Sequence, residues 1–312
     1  EISGPDALMI QADLALYRAK EEGRNCYRFH SDDLDRQVQE RVVIADELRG
    51  AIGRNELELY YQPQVELRSG RIVGMEALLR WYHPQRGQIS PAVFIPIAER
   101  SGQIQVLERW VLDAACRQLR QWRDAGIAPE LVGVNFSALH FKAAAEIDRE
   151  ISASLDQWSV PPGMIEIELT ESVLMDITQQ HAARLQQLRQ LGVRIALDDF
   201  GTGYSSLSYL VNYPISRVKI AKELVFGVDA DPRSATVVRA AIRLAYELGI
   251  EVIAEGVETE GQEKFLLSAG CEHGQGFYFS RPVDAARASE LLRLGKIVPA
   301  RRPLRLVEIS AA

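Results

Sequence analysis

Short apolar runs alternate with longer helical patterns along most of the chain. Arg68-Ser69-Gly70 alone separates the first two apolar runs, which indicates a hairpin and therefore one antiparallel strand. Eight strands with intervening helices favour an α/β fold, a (β/α)8 TIM-like barrel, over a doubly wound sheet. The predicted strands are 57–66, 71–80, 131–136, 165–170, 193–199, 216–220, 250–255 and 273–279, and the main predicted helices are 103–125, 178–191, 233–249 and 259–269.

The two ends of the chain follow other patterns. Residues 8–22 have helical periodicity, and the charge-rich stretch 31–53 predicts a linker helix. We expect the barrel to occupy residues 54–296 and residues 297–312 to form a C-terminal tail. The chain starts at Glu1 with no signal-peptide pattern, so we expect it to be part of a longer protein.

Composition narrows the classes of partner. The formal net charge of −7 speaks against non-specific binding of a nucleic-acid polymer, so an anionic ligand would need bound metal ions to attract it. The cysteines, Cys26, Cys116 and Cys271, form no CxxC pair, which favours a reducing, cytoplasmic compartment over a disulfide framework or a zinc cluster. No run approaches the ~18 apolar residues of a membrane span, although membrane attachment of the parent protein stays open.

The alternation within each strand separates aliphatic from polar side chains. In 193–199, for example, Val193, Ile195 and Leu197 share one face and Asp198 lies on the other. The same phase elsewhere places one polar group per strand on the inner face, mostly near the carboxyl end, where barrel enzymes build active sites. The predicted inner set is Glu76, Asn135, Glu168, Asp198 with its neighbour Asp199, Lys219, Glu255 and Gln275.

This inner set has the composition of a metal site. Its five carboxylates cannot all stay ionised in one cavity without a compensating charge. Oxygen ligands with one amide suit Mg²⁺ or Mn²⁺ better than zinc. The adjacent Asp198 and Asp199 can bridge two metals about 3.5–4 Å apart, the arrangement that activates water in phosphodiester hydrolysis. Each residue alone has an ordinary structural interpretation, and it is their shared phase that predicts a site.

The chain from about residue 40 to 295 resembles an EAL domain. The motifs, in order, are YYQPQVELRSGRIVGMEALLRW with the name-giving Glu76-Ala77-Leu78, VNFS, IEIELTES, ALDDFGTGYSSL, RVKI, VIAEGVET and GQGFYFSRP. The resemblance implies metal-dependent hydrolysis of cyclic di-GMP to linear pGpG. Within the first 30 residues, ADLALYRAKEEGRNCYRF resembles the end of a GGDEF domain, the fold of diguanylate cyclases, so we expect upstream GGDEF and sensor domains in the parent chain.

The EAL resemblance also implies roles for individual residues. Lys219 would orient or deprotonate the attacking water, Gln275 would support the site, and Glu171 would anchor the glycine loop that follows the sixth strand. Arg80 would hold a phosphate, which its fork geometry fits. The implied metal ligands, for two Mg²⁺ or Mn²⁺ ions, are Glu76, Asn135, Glu168, Asp198, Asp199 and Glu255, and the implied substrate contacts are Gln62, Leu78, Arg80, Glu258 and Tyr278.

One loop of the chain matches the family, and one position differs from it. In the family the loop matching 199–207, with Gly201 and Gly203, couples metal binding to dimerisation, so we expect a homodimer through the barrel near 201–210. Family members usually read KID where this chain has Lys219-Ile220-Ala221, so an inward carboxylate is missing. The metal ligands are unaffected, but the rate or the coupling to the loop is in question.

Three other functions remain open from the sequence. The chain could bind cyclic di-GMP as a catalytically weak or inactive receptor, for which Ala221 is the main argument. It could be an aldolase that forms a Schiff base on Lys219, which requires a lysine of lowered pKa. It could also be an enzymatically silent scaffold.

Overall fold

The computed structural model describes residues 32–143, 147–175, 179–202 and 208–298, together with Met9 and Leu16. The GGDEF-like stretch 1–30, apart from those two residues, lies outside the described residues. So do 203–207 of the glycine loop and the tail beyond residue 298. The chain divides into two compact units, 1–56 with 81–103, and 57–80 with 104–312.

The second unit is built on a closed, mixed sheet. β1 pairs antiparallel with β9, and β9, β8, β7, β6, β5, β4 and β2 then follow in parallel neighbouring pairs. The ring closes through pairing of β1 with β2, which confirms the predicted (β/α)8 TIM-like barrel with one antiparallel strand. The strands are β1 Leu57–Glu66, β2 Ile72–His83, β3 Gly87–Ile89, β4 Leu131–Asn135, β5 Ile165–Thr170, β6 Arg194–Phe200, β7 Arg217–Ile220, β8 Glu251–Ala254 and β9 His273–Gly274.

Helices follow most of the parallel strands and cover their outer face. The predicted outward aliphatic residues are buried there, for example Ile165 and Ile167 of β5 and Ile195 and Leu197 of β6. The helices of the described residues are α1 Asp32–Arg49, α2 Pro91–Arg100, α3 Ile104–Asp124, α4 Ala138–Ala143, α5 Ile147–Trp158, α6 Glu171–Met175, α7 Gln179–Leu191, α8 Ser208–Asn212, α9 Lys222–Val225, α10 Pro232–Glu247, α11 Glu260–Ser268 and α12 Ala285–Leu294. None of them combines the length and the apolar character needed to cross a membrane.

The first unit contains α1, α2 and β3, with the last residues of β2. Its centre is Trp81, whose indole Nε1 donates to Glu56 Oε2 at 3.0 Å and whose ring meets Phe94 edge-on, 5.6 Å between centroids. β3 pairs antiparallel with β2 from Trp81 to His83. This small unit was not predicted from the sequence.

Two predicted boundaries are wrong. The linker helix was expected to reach residue 53, but α1 ends at Arg49 and residues 50–55 form turns. The last strand was expected over 273–279, but β9 consists of His273 and Gly274 only, and the chain then turns back on itself. The turn follows from the hydrogen bonds that Tyr278 N donates to Val257 O and Phe279 N to Gly276 O, which leave no ladder to a neighbouring strand.

The amino ends of the strands hold a buried charged group. Arg217, at the start of β7, donates to Glu166 Oε1 at 2.9 Å and to Glu251 Oε2 at 2.7 Å. Arg217 and Glu166 are almost fully buried, so each needs the other to offset the loss of water. This group fills one end of the barrel with paired charge and leaves the opposite end for the site described next.

Candidate active site

The predicted inner residues meet at the carboxyl end of the barrel. Glu76 lies on β2, Asn135 ends β4, and Glu168 lies opposite Asn135 in the register of β5. Asp198 and Asp199 lie on β6 and Lys219 on β7, while Glu255 and Gln275 directly follow β8 and β9. The period-two phase accounts for the residues within the strands, whereas Asp199 has the opposite phase and Glu255 and Gln275 follow the strand ends.

Lys219 occupies the centre of the group. Its side chain is 1% exposed, and its Nζ lies 2.6 Å from Glu168 Oε2, 2.8 Å from Glu255 Oε1, 3.2 Å from Asp198 Oδ1 and 3.6 Å from Glu76 Oε1. One ammonium thus neutralises part of the charge of four carboxylates that come from four different strands. If all four carboxylates were ionised they would exceed the ammonium by three charges, and such a surplus attracts cations or protons.

The pKa values follow from this imbalance. Burial lowers the pKa of Lys219, but the carboxylates outweigh it and raise the pKa well above its usual value. Burial raises the pKa of Glu168 well above its usual range and that of Glu255 to about 8, although Lys219 acts in the opposite direction on both. Burial thus favours the protonated forms of Glu168 and Glu255, and a bound cation would compete with those protons.

Glu76 is held in its ionised form. Burial raises its pKa, but Lys219 and hydrogen bonds from Asn135 and Gln275 outweigh this and lower it. Asn135 Nδ2 donates to Glu76 Oε1 at 2.9 Å, and Gln275 Nε2 donates to Glu76 Oε2 and to Gln62 Oε1. These amides fix the orientation of the carboxylate.

Glu168 has room for its side chain because the neighbouring strand carries Gly133. A Cβ at this position would meet Glu168 Oε1 at 2.1 Å. That oxygen is buried and has no hydrogen-bond partner among the described residues. An unpaired buried carboxylate oxygen at the centre of an acidic cluster fits a divalent cation, so the donor set passes a chemical test for metal binding.

Asp198 and Asp199 lie at an irregularity of β6, where the pairing with β7 shifts register between Leu197 and Phe200. Asp199 has φ of 54°, a left-handed conformation that costs energy for a residue with a side chain. The bulge turns two consecutive carboxylates toward the mouth. Oxygens of Asp198, Asp199 and Glu255 all lie within 4.8 Å of one another, which is compatible with one metal ion.

The buried Glu171 reaches the start of the glycine loop. Its Oε2 accepts a hydrogen bond from Gly201 N at 3.3 Å. This contact matches the anchoring role expected from the resemblance, although 203–207 lie outside the described residues and the coupling to dimerisation stays a prediction.

A cavity of about 280 Å³ opens beside the acidic cluster. Gln62, Leu78 and Glu258, which are predicted to contact substrate, line it together with Glu76, Glu255 and Gln275. Arg80 and Tyr278 are not among its lining residues. The Arg80 guanidinium lies 5.6 Å from the centre of the Tyr60 ring, and Tyr278 hydrogen-bonds Glu263. Their roles in substrate binding stay predictions.

Several residues of the cavity wall were missed in the sequence. Lys222, Gly256, Gly276 and Phe277 also line it. The signal was available, because each follows within four residues the end of a strand whose inward residue was identified, and those connections form the rim of a barrel. The strand phase, used alone, finds residues inside strands and not those in the loops that follow.

Ala221 is fully buried and is the residue before α9. It contributes no side-chain hydrogen bond to the first turn of that helix. The aspartate that the family usually has here would place a carboxylate beside Lys219 along the chain.

Two curated relatives align with most of this chain. MucR of Pseudomonas aeruginosa, described as a bifunctional diguanylate cyclase/cyclic di-GMP phosphodiesterase, is 44% identical over 278 residues, 89% of this chain and 40% of the relative. NbdA of the same organism, described as a cyclic di-GMP phosphodiesterase, is 40% identical over 92% of this chain and 37% of the relative. The chain thus spans about two-fifths of the length of these curated relatives.

A solved structure has the same fold as this chain. The MucR phosphodiesterase from that bacterium, in complex with c-di-GMP, superposes with a TM-score of 0.75 at 43% identity, over 78% of this chain and 99% of that one. A family model described as "EAL domain" matches residues 45–282. Because this match spans most of the chain, from before β1 to beyond β9, the chain belongs to the EAL domain family.

Proposed function

We propose that this chain is a metal-dependent phosphodiesterase that hydrolyses cyclic di-GMP to linear pGpG. The observation that carries the proposal is the convergence of four carboxylates on Lys219, with one Glu168 oxygen buried and unpaired. The descriptions of MucR and NbdA as cyclic di-GMP phosphodiesterases support it, since both relatives align across the barrel.

The donors of the site would hold two Mg²⁺ or Mn²⁺ ions. The oxygen-only set and the close grouping of Asp198, Asp199 and Glu255 favour hard cations. When bound, such ions lower the pKa of water and stabilise the charge on the leaving oxygen. The proposed ligands are Glu76, Asn135, Glu168, Asp198, Asp199 and Glu255.

The chain's own groups orient the reactants. Lys219 has a raised pKa among these carboxylates, so in the cation-free site it is an ammonium that can orient water and neutralise charge. Gln275 fixes Glu76 and is itself linked to Gln62, whose Nε2 donates to Ser280 O at 3.0 Å. The glutamine pair thus connects the cavity wall to a ligand carboxylate.

The aldolase hypothesis is disfavoured by the same electrostatics. Attack on a carbonyl requires a neutral amine, and a lysine serving this purpose needs a lowered pKa. Lys219 has a raised one because four carboxylates surround it. The group is therefore a charged anchor and a poor nucleophile.

A cyclic di-GMP receptor of low activity is the second candidate function. Ala221 favours it, because its buried position is filled by a methyl group where the family usually has a carboxylate. The complete donor set favours hydrolysis, and we retain that as the conclusion. Upstream GGDEF and sensor domains and a reducing, cytoplasmic compartment remain part of the proposal, the latter consistent with the buried free thiols of Cys116 and Cys271.

Hydrolysis should require a divalent metal and an intact Glu76. Replacing Glu76 by Gln keeps the shape but removes one negative charge from the donor set, so turnover should fall on the order of 10³-fold or more. Chromatography of cyclic di-GMP incubated in Mg²⁺, Mn²⁺ or EDTA measures this. Calcium should support binding but little turnover. Undiminished hydrolysis in EDTA, or by the Glu76→Gln variant, would contradict the metal-dependent mechanism.

Lys219→Met should destabilise the metal-free chain more than the metal-bound one. Without the ammonium, Glu168 and its neighbours are buried with no counter-charge, a loss of about 3–5 kcal/mol in the free energy of unfolding. Divalent cations should restore most of it. Chemical denaturation in EDTA and in Mg²⁺ measures the difference. Lys264→Met is the matched control, since Lys264 is 70% exposed and should change stability by less than about 0.5 kcal/mol. An equal loss with and without metal would show that the cluster does not bind cations.

Ala221→Asp should raise turnover several-fold at nearly unchanged affinity for cyclic di-GMP measured in Ca²⁺. The reason is the restored carboxylate beside Lys219. Ala221→Asn is the matched control, because asparagine caps the first turn of α9 as well as aspartate does but adds no charge. If the two variants are equally active, or if neither exceeds the wild type, the missing carboxylate does not limit the rate.

Homodimerisation through 201–210 forms part of the same proposal. Sedimentation velocity at concentrations on the order of tens of micromolar, the range expected for a modest interface, should show a dimer. A fully active monomer under these conditions would rule it out.

A further inference from the structure

The cavity beside the acidic cluster adjoins a second cavity. The second has a volume of about 320 Å³ and shares Lys222, Gly256 and Glu258 with the first. Lys222 therefore stands between the reacting end of the site and the space beyond it. Of the described residues lining either cavity, Lys222 is the one cation, among Glu76, Glu223, Glu255 and Glu258.

Gly256 keeps Lys222 in this position. It has φ of 66°, and a Cβ on it would meet Lys222 Cβ at 2.4 Å and Lys222 Cα at 3.1 Å. The connection that follows β8, which carries Glu255, is thus in close contact with the first residue of α9. Because the two segments are in contact at Gly256, the Cα and Cβ atoms of Lys222 are held close to the residue after Glu255, a predicted metal ligand.

The end of the Lys222 side chain is available for a ligand. The side chain is 74% exposed, and its Nζ lies 3.9 Å from Glu223 Oε1, a weak contact between two exposed groups. The other cations expected at the site have different positions. Lys219 is buried among carboxylates, and Arg80 donates to Leu79 O and lies over Tyr60.

The substrate of the proposed reaction needs such a cation. A cyclic dinucleotide carries two phosphodiester groups on opposite sides of its ring, each with one negative charge. When one of them lies at the acidic cluster for hydrolysis, the other must lie further along the cavity, away from the metal ligands. There it meets Glu223 and Glu258, which repel it, and Lys222.

We infer that Lys222 binds the second, non-scissile phosphate of the cyclic dinucleotide and so selects substrates with two phosphates over simple phosphodiesters. This inference rests on the proposed function. Lys222 is a specificity-determining residue on this account, because it contacts a part of the substrate that does not react and contributes to KM more than to kcat.

The test compares two substrates of the metal-loaded enzyme. Lys222→Ala should lower kcat/KM for cyclic di-GMP about ten-fold, mainly through KM, as expected for loss of a charge-assisted contact. It should change kcat/KM for bis(p-nitrophenyl) phosphate, which has a single phosphodiester, by less than about two-fold. Lys222→Arg should keep most of the affinity for cyclic di-GMP, since it preserves the charge.

Lys264→Ala is the matched control for net charge. Lys264 is about as exposed as Lys222, is paired with Glu260 and does not line either cavity, so both substrates should be unaffected. Affinity for cyclic di-GMP measured by calorimetry in Ca²⁺ gives a second readout, and Lys222→Ala should weaken it about ten-fold.

The outcomes separate this inference from the proposed function. An equal fall on both substrates would show that Lys222 acts at the reacting centre or on the fold, and no change on either would show that it does not contact the substrate. Each result overturns the inference while hydrolysis by the wild type stands. If the wild type binds but does not hydrolyse cyclic di-GMP, the proposed function fails, and the calcium-state affinity of Lys222→Ala still decides the inference.

Discussion

A buried ammonium among carboxylates is the interaction on which the site depends. Lys219 is 1% exposed and approaches four carboxylates from separate strands within 3.6 Å. The energetic cost of burying any one of these charges alone is several kcal/mol, so each group is tolerable only because the others are present. This mutual dependence fixes β2, β5, β6, β7 and the residue after β8 relative to one another. The same surplus of negative charge that makes the cluster costly prepares it for metal ions.

Hydrogen bonds from amide side chains distinguish the pKa of Glu76 from those of its neighbours. Asn135 and Gln275 donate to different oxygens of Glu76, which lowers its pKa in spite of its burial. Glu168 and Glu255 do not have an amide donor of the described residues on each oxygen, as Glu76 has. Burial raises their pKa values. The site thus contains carboxylates of two kinds: the pKa of Glu76 is lowered, whereas those of Glu168, Asp199 and Glu255 are raised. Metal binding to such a cluster releases protons, so its affinity should rise with pH.

Much of the barrel and of its inner residues could be predicted from the sequence, because both depend on periodicity. A period of two assigned Glu168, Asp198 and Lys219 to the interior, and the hairpin at Arg68-Ser69-Gly70 indicated the antiparallel β1. The three-residue β3 is too short for any periodic signal, and Pro96 inside α2 obscured that helix. The strand expected over 273–279 ended early because loop hydrogen bonds to Val257 replaced the ladder. Lys222 was missed because it lies in the connection after β7, where the period of the strand no longer applies.

The two interior cations of β7 have a consequence for folding. Arg217 pairs with Glu166 at one end of the barrel, and Lys219, two residues later, pairs with Glu168 at the other. Both partners lie on β5, also two residues apart, so the interior of the barrel contains two matched layers of opposite charge. A slip of β7 by one residue would turn Val218 and Ile220 inward, remove Lys219 from Glu168 and leave Glu166 with Arg194, 3.5 Å away, in place of Arg217. Pairing β7 in its native register therefore brings Lys219 to Glu168 and Arg217 to Glu166 at the same time.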